Sequence, residues 1–180
     1  MGLVMNLSGI YYKPMANDLD VLLGSVSLHG TFLSFSLAFA SLTIPKVFEK
    51  LGLKKMLLIG TVLSVVGTFL MSFAFNVYIT YIAGIIRGAG IAYISYVPMS
   101  MILNQWFEEK NGLAIGLASG FSGVSGAIAA PLFTLLIESN GWRFAFMMNS
   151  LVILLSVLPI LLFPFEINPA NEGSQPYGYN

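Results

Sequence analysis

The chain contains no cysteine, a single histidine and very few charged residues. Without cysteine it can form neither a disulfide nor a thiolate metal site, and a cysteine nucleophile is excluded. Charged side chains make up 9% of the 180 residues and sum to a net charge of zero, so we expect no basic surface for nucleic acid. The chain does not begin with a basic region and a small-residue cleavage site, so we expect no removable signal peptide.

The same scarcity argues against an enzyme. No two carboxylates fall within one apolar stretch, and a lone histidine provides neither a Ser-His-Asp set nor a spacing of metal ligands. No glycine-rich sequence lies between a strand and a helix, as a nucleotide site would require. We therefore expect no enzymatic activity, no cofactor and no metal.

What the chain has instead is a series of long apolar stretches without fixed charge. They lie between Asp20 and Lys46, Lys55 and Arg87, Lys110 and Glu138, and Arg143 and Glu166. A bilayer core of about 30 Å requires roughly 20 apolar helical residues. A soluble domain of this size would leave too much of this apolar surface exposed. The sequence therefore predicts an all-α integral membrane protein.

Five full membrane-spanning helices are predicted, at about 21–44, 53–75, 77–106, 112–137 and 144–165. The apolar stretch before them, 2–12, is too short to span and leads into Tyr11-Tyr12-Lys13-Pro14, which is typical of an interfacial aromatic anchor followed by a helix stop. We interpret it as a partial first helix. Residues 1–167 would form the membrane domain, and the polar residues 168–180 a tail without regular structure.

Lysine and arginine in short loops predict the orientation. Five lysines fall in the second-to-third and fourth-to-fifth loops: Lys46, Lys50, Lys54, Lys55 and Lys110. The opposite side has only Lys13 and Arg143, so we expect the lysine-rich loops and the tail to be cytoplasmic. The predicted location is a cell membrane, either a bacterial inner membrane or a plasma membrane.

Small residues distinguish the helices from one another. Gly112, Gly116 and Gly120 recur every four residues in the fifth helix, and Gly84 and Gly88 do so in the fourth. Such faces let helix backbones approach closely in lipid, and we interpret most of these glycines as packing residues. The bulky third and sixth helices are expected to be peripheral and lipid-facing, and the second, fourth and fifth to line a cavity.

A short pattern, Glu-x-x-Gly followed by x-Lys or x-Arg, occurs at 49–54 and again at 138–143. The predicted orientation puts the first copy on the cytoplasmic side and the second on the outer side. Inverted-topology repeats of three helices each would produce this arrangement.

These features resemble the N-terminal half of a major facilitator superfamily transporter. Glu49, Lys50, Gly52 and Lys54 resemble its second-to-third loop signature, although the family usually has Asp where Glu49 stands, Gly at Pro45 and a basic residue at Leu53. The sequence Arg87-Gly88-x-Gly90 resembles its fourth-helix arginine motif. Within the superfamily the chain is most similar to the monocarboxylate transporters and the oxalate–formate antiporter-like group, through Tyr12-Lys13-Pro14, the run 106–118 and Gly141-Trp142-Arg143.

The resemblance implies half of a twelve-helix bundle that carries a small organic anion, such as a mono- or dicarboxylate, by proton symport or exchange. Its expected partners are the anion, a proton, the lipid bilayer, and either a C-terminal half or a second copy of the chain. A sugar or drug carrier and a non-transporting membrane fragment remain the alternatives.

Arg87 is the foremost candidate for the binding site. It falls about ten residues inside the fourth helix, roughly 15 Å deep, where an ionisable group is costly and marks function by default. Its helical neighbours Ala83, Gly84 and Gly90 are small, which would leave room for a carboxylate held by the planar guanidinium. The alternative is an arginine bonded to neighbouring helices that fixes the bundle.

Three further residues are weaker candidates. His29 falls at a similar depth and could serve a proton-coupled step, although we favour a neutral histidine bonded to a nearby hydroxyl or carbonyl. Lys13 is interpreted either as a lysine at the membrane edge that anchors the helix end or, by resemblance to the monocarboxylate group, as part of the substrate path. Tyr12 is a lesser candidate beside it.

Overall fold

A computed structural model describes residues 7–162 and 175–178, and 7–162 is almost entirely helical. Its helices are α1 Ser8–Asp18, α2 Leu23–Ser41, α3 Ile44–Ser72, α4 Val77–Ile94, α5 Tyr96–Trp106 and α6 Asn111–Leu162. Among the described residues, 4 stretches are long and apolar enough to cross a membrane: α2, α3, α4 with α5, and α6. The all-α membrane prediction is confirmed. Parts of the predicted first helix (2–6), of the predicted sixth helix (163–165) and of the predicted tail (168–174 and 179–180) lie outside the described residues.

Two glycines interrupt the two longest helices in the same way. Gly52 in α3 has φ 74° and ψ 170°, and Gly141 in α6 has φ 85° and ψ 161°. Glycine adopts positive φ at no steric cost because it lacks a Cβ. These are the corresponding glycines of the repeated pattern, so its two copies share one backbone conformation. The predicted second-to-third and fifth-to-sixth loops are thus short breaks at Gly52 and Gly141, and α3 and α6 each consist of two helices that meet at the break.

The first helix does not stop at Pro14. It continues to Asp18, with Pro14 in its interior. A proline removes only its own hydrogen bond to the carbonyl four residues earlier, and α1 ends one turn later. The interpretation of Tyr11 as an interfacial anchor is also wrong, because Tyr11 is 1% exposed and its ring stacks on Phe146 with centroids 4.0 Å apart.

Glycines bring α4 into backbone contact with α2 on one side and α3 on the other. A Cβ at Gly88 would lie 2.2 Å from the Leu33 carbonyl oxygen of α2, and one at Gly90 would lie 2.4 Å from the Ser64 nitrogen of α3. The packing interpretation therefore describes these positions well. It stays a prediction for Gly112, Gly116 and Gly120 of α6, where a Cβ would meet no described atom within 4 Å.

The third helix, which we expected to be peripheral, has an exposed apolar face that includes Leu58, Val62 and Phe69, and it also has a buried face. It packs against α4 and buries one face that includes a row of hydroxyl side chains: Thr61, Ser64, Thr68 and Ser72. The part of α6 after Gly141 also has a buried face, which includes Trp142, Phe146, Asn149 and Ile153. Bulky composition alone did not reveal either face, because each occupies only one side of its helix.

The tail returns to the loop between α5 and α6. The Tyr177 N–H donates to the Trp106 carbonyl at 2.8 Å, and the Glu108 N–H donates to the Tyr177 carbonyl at 3.0 Å. The Lys110 Nζ lies 5.9 Å from the centre of the Tyr177 ring. Residues 175–178 therefore have a defined position, contrary to the expectation of a tail without structure, and they lie beside the loop that contains Lys110.

Candidate functional site

Arg87 lies at the centre of the helical bundle. It is 1% exposed and occupies the middle of α4. A Cβ at Gly67 of α3 would lie 2.7 Å from the Arg87 nitrogen, and the Arg87 guanidinium carbon lies 5.9 Å from the centre of the Phe146 ring of α6. Because Tyr11 stacks on the same ring, α1, α3 and α6 all take part in this site.

The space around Arg87 differs from the predicted one. We expected its small neighbours to leave room for a carboxylate, but neighbouring helices occupy that space. A Cβ at Gly84 would lie 2.8 Å from the His29 Nδ1, and one at Gly90 would lie 2.5 Å from the Ser64 Oγ. The glycines next to Arg87 therefore admit the α2 and α3 helices, which occupy the space that larger side chains at these positions would fill.

His29 is buried in α2 and bonded to α4. Its Nδ1 lies 2.7 Å from the Thr80 carbonyl oxygen. Since a carbonyl only accepts hydrogen bonds, Nδ1 carries the proton in this contact, and neutral His29 would have its lone pair on Nε2. Nε2 is buried and makes no hydrogen bond to any described residue. This contact ties α2 to α4 one turn from the Gly84 crossing.

The structure does not place Lys13 in the enclosed site. Lys13 is exposed, and two residues along α1 correspond to a rotation of about 200°, so it points away from buried Tyr11. Tyr12 is half-buried, and its hydroxyl packs on α2, where a Cβ at Gly30 would lie 2.8 Å from it. The enclosed site thus contains Arg87 and His29, while Tyr12 lies at the α1–α2 contact and Lys13 outside.

Sequence reasoning missed several residues of this enclosed site. Tyr11 and Phe146 form the aromatic wall next to Arg87, and Asn149 lies fully buried one turn after Phe146. The Oγ1 of Thr68 is buried in α3 without a hydrogen bond to any described residue. Two signals could have identified them. Asn149 is a rare polar side chain in a charge-free stretch, and the α3 hydroxyls recur every three or four residues as a helical face does.

The loop-signature residues lie at the surface. Glu49, Lys50 and Lys54 are exposed, and Gly52 provides the positive φ of the α3 break. Among residues 7–162 and 175–178, the structure shows one salt bridge, between Arg143 and Asp18. No group of three or more His, Cys, Asp or Glu in the described part of the chain could hold a metal ion.

Comparisons with known proteins agree on one family for this chain. A family model described as Major Facilitator Superfamily matches residues 1–178. Monocarboxylate transporter 4 of Rattus norvegicus is 29% identical over 72% of this chain and 28% of its own length. Monocarboxylate transporter 12 of Xenopus laevis is 34% identical over 62% of this chain and 24% of its own length. The MFS-type transporter pynF of Aspergillus niger is 31% identical over 63% of this chain and 26% of its own length. The matched part therefore spans about a quarter of each relative.

Proposed function

The chain belongs to the Major Facilitator Superfamily, and from this premise we propose that the protein containing it moves a small organic anion across a cell membrane by alternating access. Mono- and dicarboxylates are the substrate class, carried by proton symport or by exchange. The relatives named as monocarboxylate transporters support this class. A transporter rather than an enzyme also agrees with the apolar helices of the chain.

The buried position of Arg87 is the observation that carries the proposal. An arginine keeps its charge at any physiological pH, and a charge enclosed in a membrane domain is costly unless it serves the protein. Arg87 is 1% exposed in a region where helices also enclose His29. We propose that Arg87 supplies the positive potential that draws an anion to this half of the carrier. Direct contact with a carboxylate would require Tyr11 and Phe146 to separate, because their stacked rings cover this side of the site.

The remaining candidates have subordinate roles in the proposal. His29 would take part in a proton-coupled step through Nε2, the ring nitrogen opposite its bond to Thr80. Lys13 and Tyr12 would act at the end of α1, where Lys13 is exposed. These roles predict that His29→Gln lowers proton-driven uptake more than exchange.

A second set of helices would complete the transport path. The part of α6 before Gly141 exposes a row of large apolar side chains: Leu113, Leu117, Phe121, Val124 and Ile128. We propose that a C-terminal half of the protein, or a second copy of this chain, faces the first half across a central path. Lipid would cover the remaining apolar surface. The tail, with its contacts to the Lys110 loop, is proposed to be cytoplasmic.

Uptake by the complete protein in proteoliposomes tests the proposal. Labelled lactate, succinate and glucose would be offered separately, first with an inward proton gradient and then with unlabelled substrate inside. We expect uptake of a carboxylate that other carboxylates inhibit and glucose does not. Uptake of glucose alone would replace the anion by a sugar. Absence of uptake for every compound by correctly inserted protein would favour a non-transporting fragment.

A further inference from the structure

The fourth predicted span is broken at a serine. The α4 helix ends at Ile94 and α5 begins at Tyr96, and Ser95 between them has φ −103° and ψ −145°. Ser95 stands at the N-cap of α5, yet its side chain makes no cap hydrogen bond. Serine is among the preferred caps because its hydroxyl accepts from the N–H two or three residues later. Here the residue three positions later is Pro98, which has no N–H to donate.

The Ser95 side chain faces a cavity instead. The cavity has a volume of about 350 Å³ and lies between the α4–α5 junction and the first part of α6. It is lined by Ser95, Tyr96 and Met99 on one side and Phe121, Ser122 and Ser125 on the other. Ser95 is 7% exposed, and its hydroxyl makes no cap hydrogen bond to the first turn of α5.

We propose that this cavity binds the carboxylate group of the transported anion, an inference that rests on the proposed transport function. The Ser95 hydroxyl donates to the carboxylate. Tyr96 also lines the cavity. Met99 and Phe121 offer apolar walls for a short carbon chain.

The size of the cavity favours a small organic acid. Small-molecule sites usually occupy about 300–1,000 Å³, and this cavity lies at the lower limit of that range. Arg87 precedes Ser95 by eight helical residues, about 12 Å along the axis. At that distance the guanidinium attracts an anion in the cavity without touching it, because the surrounding apolar medium screens charge weakly. The buried position of Arg87 is therefore compatible with binding at Ser95.

Removal of the Ser95 hydroxyl tests the site in the complete protein. Because this hydroxyl makes no cap bond, Ser95→Ala should insert and fold as the native protein does. We expect it to raise the half-saturating concentration of labelled lactate at least tenfold, as for a lost hydrogen bond to a charged group. Ser95→Thr keeps the hydroxyl and should stay close to native. The control is Ser100→Ala, on the same helix, because the Ser100 hydroxyl is already bonded to the Val97 carbonyl.

A second measurement does not depend on transport. Since this chain has no cysteine, a Ser122→Cys variant, with any cysteines elsewhere in the protein replaced, can be modified by a methanethiosulfonate reagent at the cavity wall. Lactate should slow the modification, whereas its neutral amide, lactamide, should not.

The outcomes separate the two proposals. Protection by lactate without any uptake would retain the cavity site and overturn the transport function. Uptake with a native response of Ser95→Ala and no protection would retain transport and overturn the cavity site. Equal protection by lactamide would overturn the assignment of a carboxylate.

Discussion

Gly67 of α3 and Arg87 of α4 are in direct backbone contact. A Cβ at position 67 would lie 2.7 Å from the Arg87 nitrogen and 2.9 Å from its Cα. Both residues are buried. The depth and direction of the central guanidinium are therefore set by a glycine on a different helix, as well as by the α4 helix itself.

We expect Gly67→Ala to destabilise the protein. The added methyl group would meet backbone atoms of Arg87, which cannot rotate away as a side chain can, so α3 and α4 must separate. Overpacking of this kind typically costs about 1–3 kcal/mol. The thermal unfolding midpoint in detergent would measure the effect. Gly120→Ala is the control, because a Cβ there meets no described atom within 4 Å. Equal midpoints for the two variants would contradict the contact.

Replacement of Arg87 separates an electrostatic role from a structural one. Arg87→Lys keeps the charge but loses the planar fork, and Arg87→Ala loses both. If Arg87 clamps a carboxylate directly, both variants should raise the half-saturating anion concentration by roughly tenfold or more. If Arg87 attracts the anion from a distance, as we propose, only Arg87→Ala should do so. Normal anion affinity in purified, correctly inserted Arg87→Ala would exclude both roles.

Arg143 joins three parts of the structure near the second helix break. Its NH1 lies 2.5 Å from Asp18 Oδ2, its NH2 donates to the Ala74 carbonyl at 2.9 Å, and its guanidinium carbon lies 4.2 Å from the centre of the Trp142 ring. An exposed ion pair usually contributes only about 0–1 kcal/mol. We therefore expect Asp18→Asn to lower the unfolding midpoint slightly and Arg143→Ala to lower it more. The opposite order would mean that the ion pair dominates this junction.

Cysteine labelling of the complete protein tests the orientation. Single cysteines in place of Glu109 and Ser139 should label from opposite sides of the membrane. The two positions are thirty residues apart, which corresponds to about 45 Å of helix and is enough to cross the bilayer. A cysteine at Gln175 should label from the same side as one at Glu109, since Tyr177 is bonded to the loop that contains Glu108 and Glu109. Labelling of positions 109 and 139 from one side would exclude the predicted topology.

The spans were predictable because charge is excluded from the bilayer core, and that rule acts on every residue of a stretch at once. The two helix breaks were marked in the sequence by the repeated Glu-x-x-Gly pattern, and Gly52 and Gly141 share the required positive φ. Pro14 misled the prediction, because a proline can either end a helix or remain inside it, and the packing of Tyr11 and Met15 keeps α1 intact around it.

The sequence by itself determined that the chain spans a membrane, that its helices alternate in direction, and that a charge lies deep in the fourth span. Only the tertiary structure decided which neighbours surround that charge. In the sequence, a glycine such as Gly84 or Gly90 looks the same whether it borders an empty pocket or a crossing helix. The contacts with α2 and α3 in the folded chain show that it borders a crossing helix. Likewise, nothing local distinguishes Ser95 from a capping serine. Its lack of a cap bond and the cavity beside it arise from Pro98 and from α6 together, residues brought near Ser95 by the folded chain.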